Sequence, residues 1–299
     1  MTVGKRIGWA GLSVLTLLAA LGVQLVGSMV TILPYAFIEG VRRGMQAAAN
    51  GGDTSQMTKD LLVNLGSIMG VVLVVTGVLL LLVFVPWYYF GCGRQKFTRM
   101  SAARVFSPRT LLVVFFIAVA LNYGINCLLQ LVYTLVPQVL ERYQQLMENA
   151  GIGNDLWANM AAVILAPVGE ELAFRGVAFH YSRKAVEGMR SPRAAFWIAN
   201  CIQALLFGIY HMNLVQGVYA FVIGLVLGYL CQRYRSLIPG MLAHLVFNGM
   251  SALLSDMAYA WIPESVVWYA VIGGAGIVLV FIIMIINGSA FMDHEQNVA

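Results

Sequence analysis

Apolar residues fall along this chain in long runs separated by short polar connections. The runs exceed what the helices of a soluble core require. Eight of them predict spanning helices, near residues 7–35, 61–90, 110–136, 157–180, 194–212, 214–232, 237–256 and 263–287. About 20 consecutive apolar residues suffice to cross the hydrocarbon of a bilayer. The first run follows Lys5 and Arg6 in the manner of a signal peptide, but it is too long and no convincing cleavage site follows, so a retained signal anchor is expected. The long connections are 38–60 and 137–156. The second sets Leu140, Tyr143, Leu146 and Met147 at helical spacing against Glu141, Arg142, Gln145 and Glu148. That pattern suits a helix lying at a membrane surface, although a plain amphipathic connector is the simpler reading. The whole pattern predicts an all-α polytopic membrane protein. It is expected to be a single integral-membrane domain over 1–299, with N-terminal spans in 1–150, a polar core in 157–250 and a last span at 263–287.

Composition sharpens the picture by exclusion. The 299 residues are 60% hydrophobic and only 10% charged, with mean hydropathy +0.81. A soluble domain carries roughly 25% Asp, Glu, Lys and Arg. A soluble globule, a disordered chain, a secreted disulfide scaffold and a nucleic-acid binder are therefore set aside. Cys92, Cys127, Cys201 and Cys231 are scattered without CxxC or metal spacing and read as reduced and structural. The net charge of +5 records orientation. With the N-terminus in the cytoplasm, thirteen basic residues face inward: Lys5, Arg6, Arg94, Lys96, Arg99, Arg104, Arg109, Arg183, Lys184, Arg190, Arg193, Arg233 and Arg235. Arg42, Arg43, Lys59 and Arg142 face outward, and Arg175 is left inside a span. Eight spans with both termini cytoplasmic are expected.

Polar side chains at membrane depth cost at least a few kcal/mol each, so each is a functional candidate. Three groups stand out. Glu170-Glu171-Leu-Ala-Phe-Arg175 lies in the fourth span. At about 100° per residue, Arg175 falls about 40° from Glu171 and about 140° from Glu170. Glu171 and Arg175 are placed to pair, whereas Glu170 lacks a local partner and is expected to face a cavity. Upstream, Pro167 removes a backbone donor and leaves the carbonyl of Val163 without its helical bond. Phe207-Gly-Ile-Tyr-His211 ends the fifth span, with the phenyl ring positioned to buttress the imidazole. His244-Leu-Val-Phe-Asn248 opens the seventh and sets an imidazole beside a carboxamide. His180 and His294 take structural or solvated readings, and Gly224-Leu-Val-Leu-Gly228 reads as helix packing.

Around one water-filled pocket, Glu170, His211, His244 and Asn248 suit hydrolysis of an amide. A carboxylate and an imidazole deprotonate water, and an imidazole and a carboxamide hold an oxyanion. No GxSxG, HExxH or paired-aspartate motif is present, which favours water as the nucleophile. A zinc site would use Glu170, His211 and His244 as ligands with an open fourth position. Asparagine is a poor zinc ligand and a good oxyanion donor, which favours no metal.

The series Glu-Glu-x-x-x-Arg, Phe-x-x-x-His and His-x-x-x-Asn, in order on separate spans, resembles the CAAX protease and bacteriocin-processing (CPBP, or Abi) family of intramembrane endopeptidases. That family includes the type II CAAX prenyl endopeptidase. The likeness covers residues 157 to about 250, with all three motifs intact. It implies that Glu170 and His211 activate water, that His244 and Asn248 stabilise the oxyanion, and that Glu171 and Arg175 support the site, to which the spacing adds Phe207. It implies a peptide or protein substrate at the lipid bilayer and leaves zinc open. The short chain without soluble appendages suits a bacterial cytoplasmic membrane and peptide precursors as substrates. A non-proteolytic peptide-binding, immunity or scaffold protein is the alternative, and a proton-coupled transporter ranks last, because no repeat or pair of broken helices is seen.

The motifs must meet at one depth. Counted from the cytoplasmic ends, Glu170 lies roughly 15 Å in, His244 roughly 10 Å and His211 roughly 25 Å. The fifth and sixth spans are therefore expected to form a short tilted or re-entrant hairpin with its tip inside the membrane.

Overall fold

The computed structural model describes residues 2–50, 66–92 and 105–296. Lys59, Arg94, Lys96, Arg99 and Arg104 lie outside the described residues, as do residues 61–65 of the expected second span and the side chain of His294. Every regular element among the described residues is helical. We label them α1 (Val3–Asn50), α2 (Gly66–Gly91), α3 (Pro108–Leu135), α4 (Pro137–Asn149), α5 (156–185), α6 (Pro192–Tyr210), α7 (Leu214–Tyr234), α8 (Ile238–Leu253), α9 (Ser255–Tyr259) and α10 (Val266–Gln296). Six of these, α1, α2, α3, α6, α7 and α10, are long and apolar enough to cross a membrane. The chain is a polytopic helical membrane protein. Helix α8 is apolar but shorter, and α5 is a helical run broken into short α and π stretches.

Local chemistry sets the boundaries. Ser107, Asp155, Ser191 and Asn213 cap α3, α5, α6 and α7, each accepting a bond from the third backbone N–H of its helix, one of the donors a helix start leaves unpaired. Pro108 and Pro192 follow their caps at the first helical position, where a missing N–H costs nothing. Helix α1 departs from expectation: it continues through the predicted connection from 38 and ends only at Asn50. Its final turns are held by Glu39, which pairs with Arg42 at 3.4 Å and Arg43 at 2.8 Å. At 1.5 Å per residue it extends about 72 Å, more than twice the bilayer's hydrocarbon thickness.

Two apolar cores flank a central space. One joins α3, α7, α8 and α10 around Ile117, Leu227, Leu230 and Phe247; the other joins α1, α2, α5 and α6 around Leu80, Phe84, Phe174 and Phe207. Helices α6 and α7 form a hairpin, joined only by His211, Met212 and Asn213. Met212 adopts a left-handed conformation, φ +52°, to make the turn. The two backbones touch beside it: a Cβ on Gly208 would stand 2.6 Å from the carbonyl oxygen of Gly217. No side chain larger than hydrogen fits there.

Candidate active site

Helix α5 carries the first motif, and its backbone is not a plain α-helix. Residues Ala161–Leu165 and Glu171–Ala178 are π-helical, with a single α turn, Ala166–Glu170, between them. Stretches of π-helix concentrate at functional sites. Here Pro167 has a direct consequence. In the widened register the Ala166 N–H bonds the carbonyl of Ala161, five residues back. The matching donor for Ala162 would be Pro167, which has none. In this register the Ala162 carbonyl is orphaned, as well as the Val163 carbonyl that Pro167 would leave without a partner in a regular α-helix. Asn248 answers the former, donating from Nδ2 to the Ala162 oxygen at 2.8 Å. The carboxamide is thereby oriented, with one of its two N–H groups committed to structure.

The two glutamates separate as the helical wheel predicts. Glu171 and Arg175 are fully buried and paired, Nη1 to Oε1, at 2.9 Å. The same Oε1 lies 3.1 Å from Nδ1 of His244. Because a carboxylate only accepts, Nδ1 carries the hydrogen and Nε2 points onward. It faces Oε2 of Glu170 at 3.7 Å, too far for a direct hydrogen bond. Glu171 thus orients a histidine on another helix, a pairing that spacing along one chain could not reveal.

Phe207 is the hub between the motifs. The Arg175 guanidinium sits over its ring, 4.1 Å from the centroid. The rings of His211 and His244 meet it edge-on, with centroids at 4.8 and 5.8 Å. This cation–π contact offsets part of the cost of burying Arg175, whose Nε and Nη2 make no hydrogen bond among the described residues. His211 is set by its own helix: Nδ1 lies 2.9 Å from the carbonyl of Phe207. A carbonyl can only accept, so Nδ1 bears the hydrogen and Nε2 keeps the lone pair of a base.

Glu170, His211, His244 and Asn248 all line one cavity of about 590 Å³. The geometry brings the three motifs together, and Arg175 and Glu171 stand behind its wall. The amphipathic helix α4 is more than a connector. Tyr143, Leu146 and Met147 line the same cavity, and the Tyr143 and Tyr219 hydroxyls join at 2.9 Å. Gly224 and Gly228 bear on the site as well. A Cβ on Gly224 would stand 3.2 Å from Arg175 Nη2, and one on Gly228 would stand 1.9 Å from Asn200 Oδ1. The absence of these carbons lets Gln203 and Asn200 of α6 bond the carbonyls of Gly224 and Leu225 on α7, both at 2.9 Å.

Sequence reasoning missed Asn126, Gln216, Tyr219 and Ser251, which also line the cavity. The rule that picked out Glu170 would have found Asn126 and Ser251, since both are polar residues within expected spans. As for a metal, no three His, Cys, Asp or Glu side chains among the described residues converge closely enough to hold one. Glu170, His211 and His244, the ligands of the zinc alternative, do not form such a group as arranged.

Residues 152–250, about a third of the chain, match the family model described as Rce1-like, type II CAAX prenyl endopeptidase Rce1-like. The matched segment holds all three motifs and agrees with the resemblance that they carry. No curated protein and no solved structure matches the chain.

Proposed function

We propose that this protein is an intramembrane endopeptidase that hydrolyses a peptide bond of a membrane-associated peptide or protein with a water activated by Glu170 and His211. The observation that carries this reading is the convergence of Glu170, His211, His244 and Asn248 on one cavity. The lone pair on His211 Nε2 and the carboxylate of Glu170 are the two bases available to a water there. His244 and Asn248 receive the developing oxyanion. His244 does so from Nε2, with its ring held in place by Glu171 at Nδ1. Asn248 does so through the N–H not spent on Ala162. Glu171, Arg175 and Phe207 hold these groups in register. The reaction is metal-free, with the chain spanning a bacterial cytoplasmic membrane eight times and both termini in the cytoplasm.

The family description names the first probe: a fluorescence-quenched peptide ending in a prenylated Cys-aliphatic-aliphatic-X sequence. An unprenylated leader-type peptide is the second. Purified full-length protein in detergent is expected to cut one of them, and His211→Ala is expected to abolish cutting without lowering the melting temperature. A strong chelator is expected to leave the rate unchanged. Cutting that survives in His211→Ala overturns the assignment, and a chelator-sensitive rate overturns the metal-free mechanism. Binding of the peptides with no cutting by the wild type would favour a non-proteolytic peptide-binding protein.

A further inference from the structure

Beyond the three motifs, α8 carries a fourth polar group on the same face. His244, Asn248 and Ser251 all line the cavity. At about 100° and 1.5 Å per residue, Ser251 lies about 20° around the helix from His244 and about 10 Å further along it.

The hydroxyl of Ser251 is held in an unusual way. Asn122 donates from Nδ2 to the Phe247 carbonyl at 2.9 Å and to Ser251 Oγ at 2.8 Å. Asn126 donates from Nδ2 to the Asn122 carbonyl at 3.0 Å and to Ser251 Oγ at 3.3 Å. Backbone carbonyls only accept, so the orientation of both carboxamides is fixed, and both present N–H groups to the serine. The Tyr259 hydroxyl on Asn122 Oδ1 agrees with this assignment. Two donors occupy both lone pairs of Oγ. What remains is its hydrogen, which makes no hydrogen bond among the described residues, the carbonyl one turn back, of Phe247, receiving Asn122. The arrangement is a hydroxyl donor, polarised by two amides, on the lining of the cavity.

We infer that Ser251, held by Asn122 and Asn126, is a binding subsite for a backbone carbonyl of the substrate peptide. At about 3.3 Å per extended residue, the separation from His244 places that carbonyl about three residues from the bond that is cut. The inference rests on the peptidase reading above. Ser251 is a positioning residue: it fixes the register in which an extended chain lies along α8 and takes no part in proton transfer.

The test uses full-length protein and whichever quenched peptide it cuts. Ser251→Ala is expected to raise KM about tenfold with kcat within twofold, and Ser251→Thr, which keeps the hydroxyl, to stay near wild type. Peptides in which single carbonyls are replaced by CH₂ identify the partner atom. One deletion should weaken the wild type about tenfold and have no further effect in Ser251→Ala. Should Ser251→Ala lower the melting temperature, Ser251→Cys, which keeps the side chain's size with a poor donor, repeats the comparison. An unchanged KM in Ser251→Ala, or carbonyl deletions that add fully to it, overturns the subsite. The same peptides are also titrated against Glu170→Gln by fluorescence anisotropy. If the wild type cuts nothing yet Ser251→Ala weakens binding in that background tenfold, the peptidase reading falls and the subsite stands.

Discussion

His244 Nδ1 lies 3.1 Å from Oε1 of Glu171, the same oxygen that receives Arg175 at 2.9 Å. One buried carboxylate therefore satisfies an arginine on its own helix and orients a histidine on another. It ties the first motif to the third, while Phe207, stacked under Arg175, brings in the second. The supporting shell is as connected as the groups it holds.

Removing that carboxylate should be costly in two ways. Glu171→Gln leaves the Arg175 charge buried without its counter-ion, and breaking such a pair costs about 3–5 kcal/mol. We expect a clear fall in melting temperature together with loss of cleavage. Glu171→Gln combined with Arg175→Met removes both charges and should melt above the single variant. Thermal unfolding of the four proteins of this double-mutant cycle checks it.

The bond from Asn248 to Ala162 predicts a coupling between residues far apart in sequence. Asn248→Ala strands a carbonyl that Pro167 cannot serve, at a cost of about 1–3 kcal/mol. Pro167→Ala supplies the missing N–H. The double variant should lose less stability than the sum of the single losses, by an amount that unfolding measurements resolve. Strict additivity would mean that the carbonyl is satisfied by other means.

The glycines of α7 should differ sharply from those that face open space. Gly228→Ala drives a methyl into Asn200 Oδ1, 1.9 Å away, and Gln203 Nε2, 2.7 Å away. Overpacking of this kind costs about 1–3 kcal/mol. Gly274→Ala meets nothing within 4 Å and should leave stability unchanged or slightly raised, because alanine is the better helix former. Melting temperatures of the two variants, compared with wild type, decide this.

Much of the site was legible because its residues break a rule. Charged and polar groups in apolar runs have few explanations, and helical spacing alone separates Glu171 from Glu170. The shortness of the connection at His211–Asn213 was legible from the apolar runs on either side of it. What escaped was set by contacts between helices. The π register of α5 left the Ala162 carbonyl for Asn248, and no spacing rule signals a change of register. The pairing of Glu171 with His244 crosses 73 positions. The reach of α1 to Asn50 came from the ion pairs of Glu39, which lie where a loop was expected. Helix α4 looked like a connector because its apolar face was visible in the sequence and its partner, Tyr219, was not.

The central claim is that Glu170 acts on water in this cavity. It is tested most directly by Glu170→Gln, which keeps the side chain's shape and removes the base. Single-turnover cleavage of the quenched peptide, measured alongside thermal unfolding, is expected to fall at least a hundredfold at an unchanged melting temperature. Cleavage within a few-fold of wild type in folded Glu170→Gln would contradict the account.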